Sequence, residues 1–115
     1  MRQVILDTSF ILSAIEKRID IFEELLEYKI LIPNQVLIEV KGILKSNPIA
    51  KTAMKILKKN KFKTIDLKTK NTDAGIIKYS KQNPMAIIAT LDRNIQRLIK
   101  NKKLVIRGKK KLEIN

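Results

Sequence analysis

The sequence contains no cysteine and no histidine. Without cysteine there is no disulfide, no thiolate nucleophile and no cysteine-type zinc site. Without histidine there is no Ser-His-Asp triad, no imidazole acid–base pair and no histidine-bound metal. Aromatic residues make up only 4% of the chain. Phe10, Phe22, Tyr28, Phe62 and Tyr79 fall at helix or strand positions that read as core, so no base-stacking platform is expected. No apolar run approaches the length of a membrane span, and the run Phe10-Ile11-Leu12 lacks the layout of a signal peptide. Acidic residues are also few, 11 against 25 basic ones. Any hydrolytic chemistry must therefore rest on carboxylates, hydroxyls, lysine and bound metal. Hard oxygen ligands select Mg²⁺ or Mn²⁺ over softer ions.

What is present describes a folded chain. The 115 residues, 44% of them hydrophobic, suit a single domain over 1–115 with a small but real core. Cytoplasmic localisation and no membrane association are the expectation. The net charge of +14 favours a polyanionic partner, nucleic acid ahead of a membrane surface. The plainer reading of that charge is a lysine-rich surface that keeps the protein soluble.

Val4-Ile5-Leu6 is a short aliphatic run ended by Asp7-Thr8-Ser9, the pattern of a strand buried on both faces. A helix carrying Phe10, Ile11, Leu12 and Ile15 follows, with Thr8 or Ser9 as its expected cap. Asp20 opens a second helical pattern with Ile21, Phe22, Leu25 and Leu26 on one side. Residues 29–32 form a strand ended by Pro33-Asn34, and a helix is expected from about Gln35 to Lys45. Asn47-Pro48 starts the next helix as cap and first residue, with Lys51, Lys55, Lys58 and Lys59 on its outer face. Phe62 to Leu67 reads as a third strand, and Asn71-Thr72-Asp73 opens a helix that Asn83-Pro84 ends. Residues 85–90 are the longest uncharged run and the expected central strand. After Asp92 comes a helix with Ile95, Leu98 and Ile99 buried. Leu104-Val105-Ile106 makes a last strand, and Gly108 leads to a basic end. Alternating strands and helices imply an α/β fold with a parallel sheet.

Three acids fall where strand gives way to helix. Asp7 and Asp92 directly follow strands, and Asp73 lies in the first turn of the helix after one. Parallel strands would aim all three at one edge of the sheet, where α/β folds bind ligands. Taken singly, each is more readily read as a helix cap or a dipole-pairing acid. Glu39 has no such role. It lies in mid-helix among Val36, Leu37, Ile38 and Val40, and its plain alternative is pairing with Lys41 or Lys45. Converging carboxylates repel by about 1–4 kcal/mol per close pair, and a divalent ion removes that repulsion directly.

Together these pieces resemble the PIN domain, a metal-dependent ribonuclease fold. The matching stretches are Ile5-Leu6-Asp7-Thr8-Ser9, Pro33-Asn34-Gln35-Val36-Leu37-Ile38-Glu39-Val40, Thr72-Asp73-Ala74-Gly75-Ile76-Ile77 and Ala89-Thr90-Leu91-Asp92-Arg93. The ending, residues 105–112, resembles PIN proteins of the rRNA-processing group. The resemblance implies a three-layer α/β/α sandwich around a mostly parallel sheet of order 3-2-1-4-5. It also implies Asp7, Glu39, Asp73 and Asp92 as catalytic, metal-binding acids for Mg²⁺ or Mn²⁺, with Thr8, Ser9 and Thr90 as supporting hydroxyls. Leu91 and Ala74-Gly75 stand where the family often has polar residues. The implied activity is endonucleolytic hydrolysis of RNA, and with no histidine present, water is the expected nucleophile, leaving a 5′-phosphate. Arg93, Arg97, Lys100, Arg107, Lys109, Lys110 and Lys111 are the expected guides for the RNA backbone.

Other classes fit less well. A phosphoacceptor domain usually has an acidic pair after its first strand, and only Asp7 stands here. A dinucleotide-binding turn requires glycines that Asp7-Thr8-Ser9-Phe10 lacks. A non-catalytic RNA-binding module of the same fold is the main rival. Within the enzyme reading, an RNA- or rRNA-processing factor competes with the toxin half of a toxin–antitoxin pair. The expected partners are RNA, a second copy in a homodimer, and an antitoxin or ribosome-assembly protein.

Overall fold

Alternate residues of the first strand, β1 (Gln3–Leu6), enter two separate cores. Val4 and Leu6 pack on one face of the sheet, while Ile5 packs on the other. This two-sided burial explains the unbroken aliphatic run, which a strand with one wet face would not need. The computed structural model describes all residues, 1–115.

The elements alternate along the chain. α1 (Thr8–Glu16) and α2 (Ile21–Glu24) precede β2 (Lys29–Pro33), and α3 (Asn34–Gly42) and α4 (Pro48–Lys59) precede β3 (Lys63–Ile65). Then come α5 (Thr72–Gln82), β4 (Ile87–Ala89), α6 (Arg93–Leu98), β5 (Lys103–Arg107) and β6 (Lys111–Ile114). The larger core joins α1, α2, α3 and α4 to the sheet through residues such as Phe10, Val36, Val40 and Ala53. The smaller one joins α5 and α6 to the opposite face through Ile76 and Ile95. No helix is long and apolar enough to cross a membrane.

The sheet runs β3-β2-β1-β4-β5-β6. Its first five strands are parallel, in the order that the family resemblance implies, and β6 adds an antiparallel edge. The residues read as a loose basic end are thus half of a hairpin. Leu112 and Ile114 pack beside Ile106 against the larger core. Their alternation with Lys111 and Glu113 is the period-2 signal of a strand, masked by the lysine run before it.

Several boundaries differ from expectation. Strand β3 has three residues and β4 three, both shorter than their apolar runs. Helix α3 stops at Gly42, and α2 is a single turn whose continuation leaves Leu26 exposed. Asp7 itself caps α1, accepting from the Thr8 N–H at 2.8 Å, so neither Thr8 nor Ser9 holds the cap.

Candidate functional site

Parallel pairing aligns the carboxyl ends of β1 and β4, with Leu6 opposite Ala89. The residues just beyond, Asp7 and Thr90, therefore meet. Thr90, fully buried, donates its hydroxyl to Asp7 Oδ2 at 2.7 Å and accepts the Asp92 N–H at 3.1 Å. Ser9 donates to the same Oδ2 at 3.3 Å and accepts the Leu91 N–H at 3.2 Å. Gln96 secures this loop from α6, donating to the Thr90 carbonyl at 2.8 Å. Asp7 is 5% exposed, so it forms the recessed floor of the cluster. Both of its oxygens are engaged.

The other acids surround this floor. Glu39 sits one turn into α3, exposed, and accepts the Thr8 hydroxyl at 2.6 Å. The Thr8 hydroxyl thus serves Glu39, while its N–H serves Asp7. Asp92 caps α6 through Oδ1, accepting from Asn94 and Ile95 at 2.8 and 3.2 Å, which leaves Oδ2 free of protein donors. Asp73 lies in the first turn of α5, but Asn71 is the cap, accepting the Ala74 N–H at 3.0 Å. The dipole-pairing reading suits Asp73, and the capping reading suits Asp7 and Asp92; neither prevents the acids from sharing one edge.

Their charges are mutually felt. Burial pushes the Asp7 carboxyl above its ordinary value, and Glu39 adds to the rise, against hydrogen bonds from Thr90, Thr8 and Ser9 that lower it. Asp73, although at the surface, is also pushed up, first by desolvation and then by the charges of Asp7 and Asp92. No lysine relieves this. The molecule's one ion pair is Arg107–Glu113 at 3.7 Å, so neither Lys41 nor Lys45 neutralises Glu39. None of the four is ion-paired, and Asp7 is set apart further by its burial.

The donor set is all oxygen, the chemistry that suits Mg²⁺ or Mn²⁺. Glu39, Asp73 and Asp92 each retain a carboxylate oxygen without a protein hydrogen bond. No three acids stand together at metal-ligating distance, however. The donors fit such an ion in kind.

The candidate guiding cations divide. Arg93 opens α6 beside Asp92, and Arg97, one turn on, donates to Asn94 Oδ1 at 2.8 Å. Lys100 lies past the far end of α6, beside a shallow pocket lined by Lys81, Pro84, Leu98 and Asn101, and so does not join the acids. Arg107 ends β5, Lys109 and Lys110 form the turn with Gly108, and Lys111 opens β6. Because β5 is parallel to β4, that turn stands at the same sheet edge as Asp92. All five aromatic residues are buried or half-buried, as their positions suggested.

Two structural residues escaped the sequence reading. Gln35, four positions before Glu39 and on the same side of α3, donates to Asp66 Oδ1 at 2.9 Å and accepts the Leu67 N–H at 3.3 Å. The i, i+4 spacing of Gln35 and Glu39 was the available signal. Asp66, held below its ordinary value first by the Gln35 bond and then by the Lys68 N–H, gave no local sign.

The PIN-like domain profile matches residues 4–111. Among solved structures, the chain is similar to the PIN domain endonuclease Utp24, at 23% identity and a TM-score of 0.83, covering 98% of this chain and 90% of that one. It is also similar to a domain of a functionally unknown protein from Methanocaldococcus jannaschii, at 18% identity and a TM-score of 0.64, covering 100% and 97%. A third similar structure is VapBC2 from Rickettsia felis bound to a promoter DNA fragment, at 17% identity and a TM-score of 0.53, covering 88% and 98%. At these identities the structural likeness shows the fold alone. Comparison with curated protein sequences finds no match.

Proposed function

The chain belongs to the PIN-like domain family, and from that premise we propose that it is a divalent-metal-dependent endoribonuclease acting in RNA processing, that of rRNA included. The observation that supports the reading is a buried acid, Asp7, at the end of the first strand, with Glu39 raising its carboxyl further and its own charge, with that of Asp92, bearing on Asp73.

In this reading the four acids hold Mg²⁺ or Mn²⁺. Such an ion supplies a more acidic water and charge neutralisation at the phosphodiester. Asp7 is the fixed member, oriented by Thr90, Ser9 and the Thr8 N–H. Glu39, Asp73 and Asp92 contribute their free oxygens, and Thr8 sets the direction of Glu39. With neither imidazole nor thiol in the chain, these carboxylates are the proton acceptors at the edge. Arg93 and the Arg107–Lys111 turn attract the phosphate backbone. Lys100 is left out of this surface because of its position.

The test is cleavage of end-labelled RNAs with Mg²⁺, Mn²⁺ or EDTA, comparing wild type with Asp7→Asn and Glu39→Gln. Metal-dependent cuts ending in 5′-phosphate, reduced at least about 100-fold in both variants, are expected. Cleavage that survives both substitutions refutes the site. RNA bound but never cut favours the non-catalytic module. The shared fold with VapBC2 keeps a toxin role in view; expression that arrests growth only when Asp7 is intact would favour it over processing.

A further inference from the structure

On the opposite flank of the acids from the β5–β6 turn lies the loop of residues 66–71, between β3 and α5. It is built more firmly than an exposed connection requires. The Gln35 amide clasps it at Asp66 and Leu67. Asp66 also accepts the Lys68 N–H at 2.8 Å, and Thr69 donates its hydroxyl to the Asn71 carbonyl at 2.9 Å. Leu67 is buried in the smaller core, and α5 presses on it so closely that a Cβ at Gly75 would lie 2.8 Å from Leu67 Cβ. What this frame displays is two lysines, Lys68 and Lys70, both exposed and neither ion-paired.

Lys68 is informative because of its backbone. Its φ is +56°, a left-handed conformation that favours glycine and costs another residue about 1 kcal/mol. Glycine would relieve that strain, yet the position carries a long cation. Strain held at an exposed, rigid position is grounds for seeking a binding role.

Topology places this loop across the acids from the hairpin. Strands β3 and β5 are separated by four strand spacings, about 19 Å, with β2, β1 and β4 between them. Strand β5 runs three residues past Leu104, the partner of Ala89, so its tip stands about 10 Å beyond the end of β4. Asp7, just past the end of β1, thus lies along the carboxyl edge of the sheet between the loop and the turn.

We propose that Lys68 and Lys70, on the Gln35-clasped loop, form a second phosphate-binding ridge, so that the RNA backbone crosses the acid cluster from this loop to the β5–β6 turn. The inference rests on the ribonuclease reading and adds to it the direction of the strand. Gln35 is then a positioning residue: one face of α3 sets both the loop, through Gln35, and the cluster, through Glu39.

The test is the double variant Lys68→Gly with Lys70→Ala, beside Lys109→Ala with Lys110→Ala. Each is assayed for fold, for RNA binding across a salt series and for metal-dependent cleavage. Glycine at 68 removes the charge while suiting the backbone, so thermal stability should hold or rise. RNA affinity should fall about tenfold, and the slope of log affinity against log salt should shrink by about 1.4, the release expected from two phosphate contacts on a single strand. The cleavage loss should appear mainly in KM. Unchanged affinity and slope in the loop variant, with the hairpin variant weakened, would overturn this inference and leave the ribonuclease reading standing. Wild type that neither binds nor cuts RNA would overturn both.

Discussion

Asp7 concentrates the conflict at the scale of single residues. It is an ionisable group in an almost closed position, held by two hydroxyls and an N–H and pressed by neighbouring charge. A carboxyl raised above its ordinary 3.8 binds protons more readily folded than unfolded. Its penalty on stability is therefore present at neutral pH and fades as pH falls through the folded value. Asn keeps an acceptor for the Thr8 N–H and carries no charge, but its single carbonyl oxygen leaves an NH₂ donor where Oδ2 accepted the Thr90 and Ser9 hydroxyls. Because wild-type Asp7 loses its charge as pH falls, Asp7→Asn should compare best with the metal-free wild type at pH 7 and lose ground toward acid pH. The variant should also lose most of the wild-type stabilisation by Mn²⁺; thermal denaturation across pH with and without the ion measures both. Thr90→Val is the complement. It leaves the Asp92 N–H unpartnered and Asp7 Oδ2 with only the longer Ser9 bond, at a cost of about 1–3 kcal/mol, whereas Thr90→Ser should cost much less. Equal losses for Val and Ser would mean that the methyl group, not the hydroxyl, matters.

Elements hold the site through contacts that cross between them, and α5 shows how tightly. Gly75→Ala would ordinarily gain about 1 kcal/mol in a helix. Here the added methyl meets Leu67 Cβ and Cδ1 at 2.8 and 2.9 Å. Overpacking of this kind costs about 1–3 kcal/mol, so chemical denaturation should show a net loss. A net gain would mean that the 66–71 loop gives way easily. Glycine at this position was visible in the sequence, but its neighbour was not, because Leu67 approaches only after β3 pairs with β2. The same division runs through the whole reading. Elements announced by continuous apolar runs and by Asn-Pro or Asn-Thr-Asp boundaries were legible in the sequence, as was the sheet order through the family resemblance. Strand β6 was not, since three lysines hide its short alternation. The four acids were legible by position. The roles of their hydroxyls were not, because Thr8 and Ser9 are neighbours in sequence yet bond to different acids, a choice made by where α3 packs.

Charge acts over the molecule as a whole. The longest dimension is 33 Å, close to the screening length of about 30 Å at 0.01 M salt and well beyond the roughly 8 Å at 0.15 M. At low salt nearly every cation feels the others. Raising salt over that range should therefore raise the thermal midpoint while weakening RNA binding, two opposite trends from one cause. A midpoint that falls with salt would show that local pairs, not self-repulsion, dominate. The two halves of the sheet give this surface a history as well. Strands β1, β2 and β3 associate with near neighbours in the chain, as do β4, β5 and β6. Asp7 and Thr90, by contrast, are 83 positions apart. Closing that seam carries the largest loop entropy in the sheet. Until it shuts, Asp92 has no route to Asp7 and Glu39. On the ribonuclease reading, a chain whose seam has not yet closed carries its full positive charge without its acid cluster, so it would hold RNA before it could cut it.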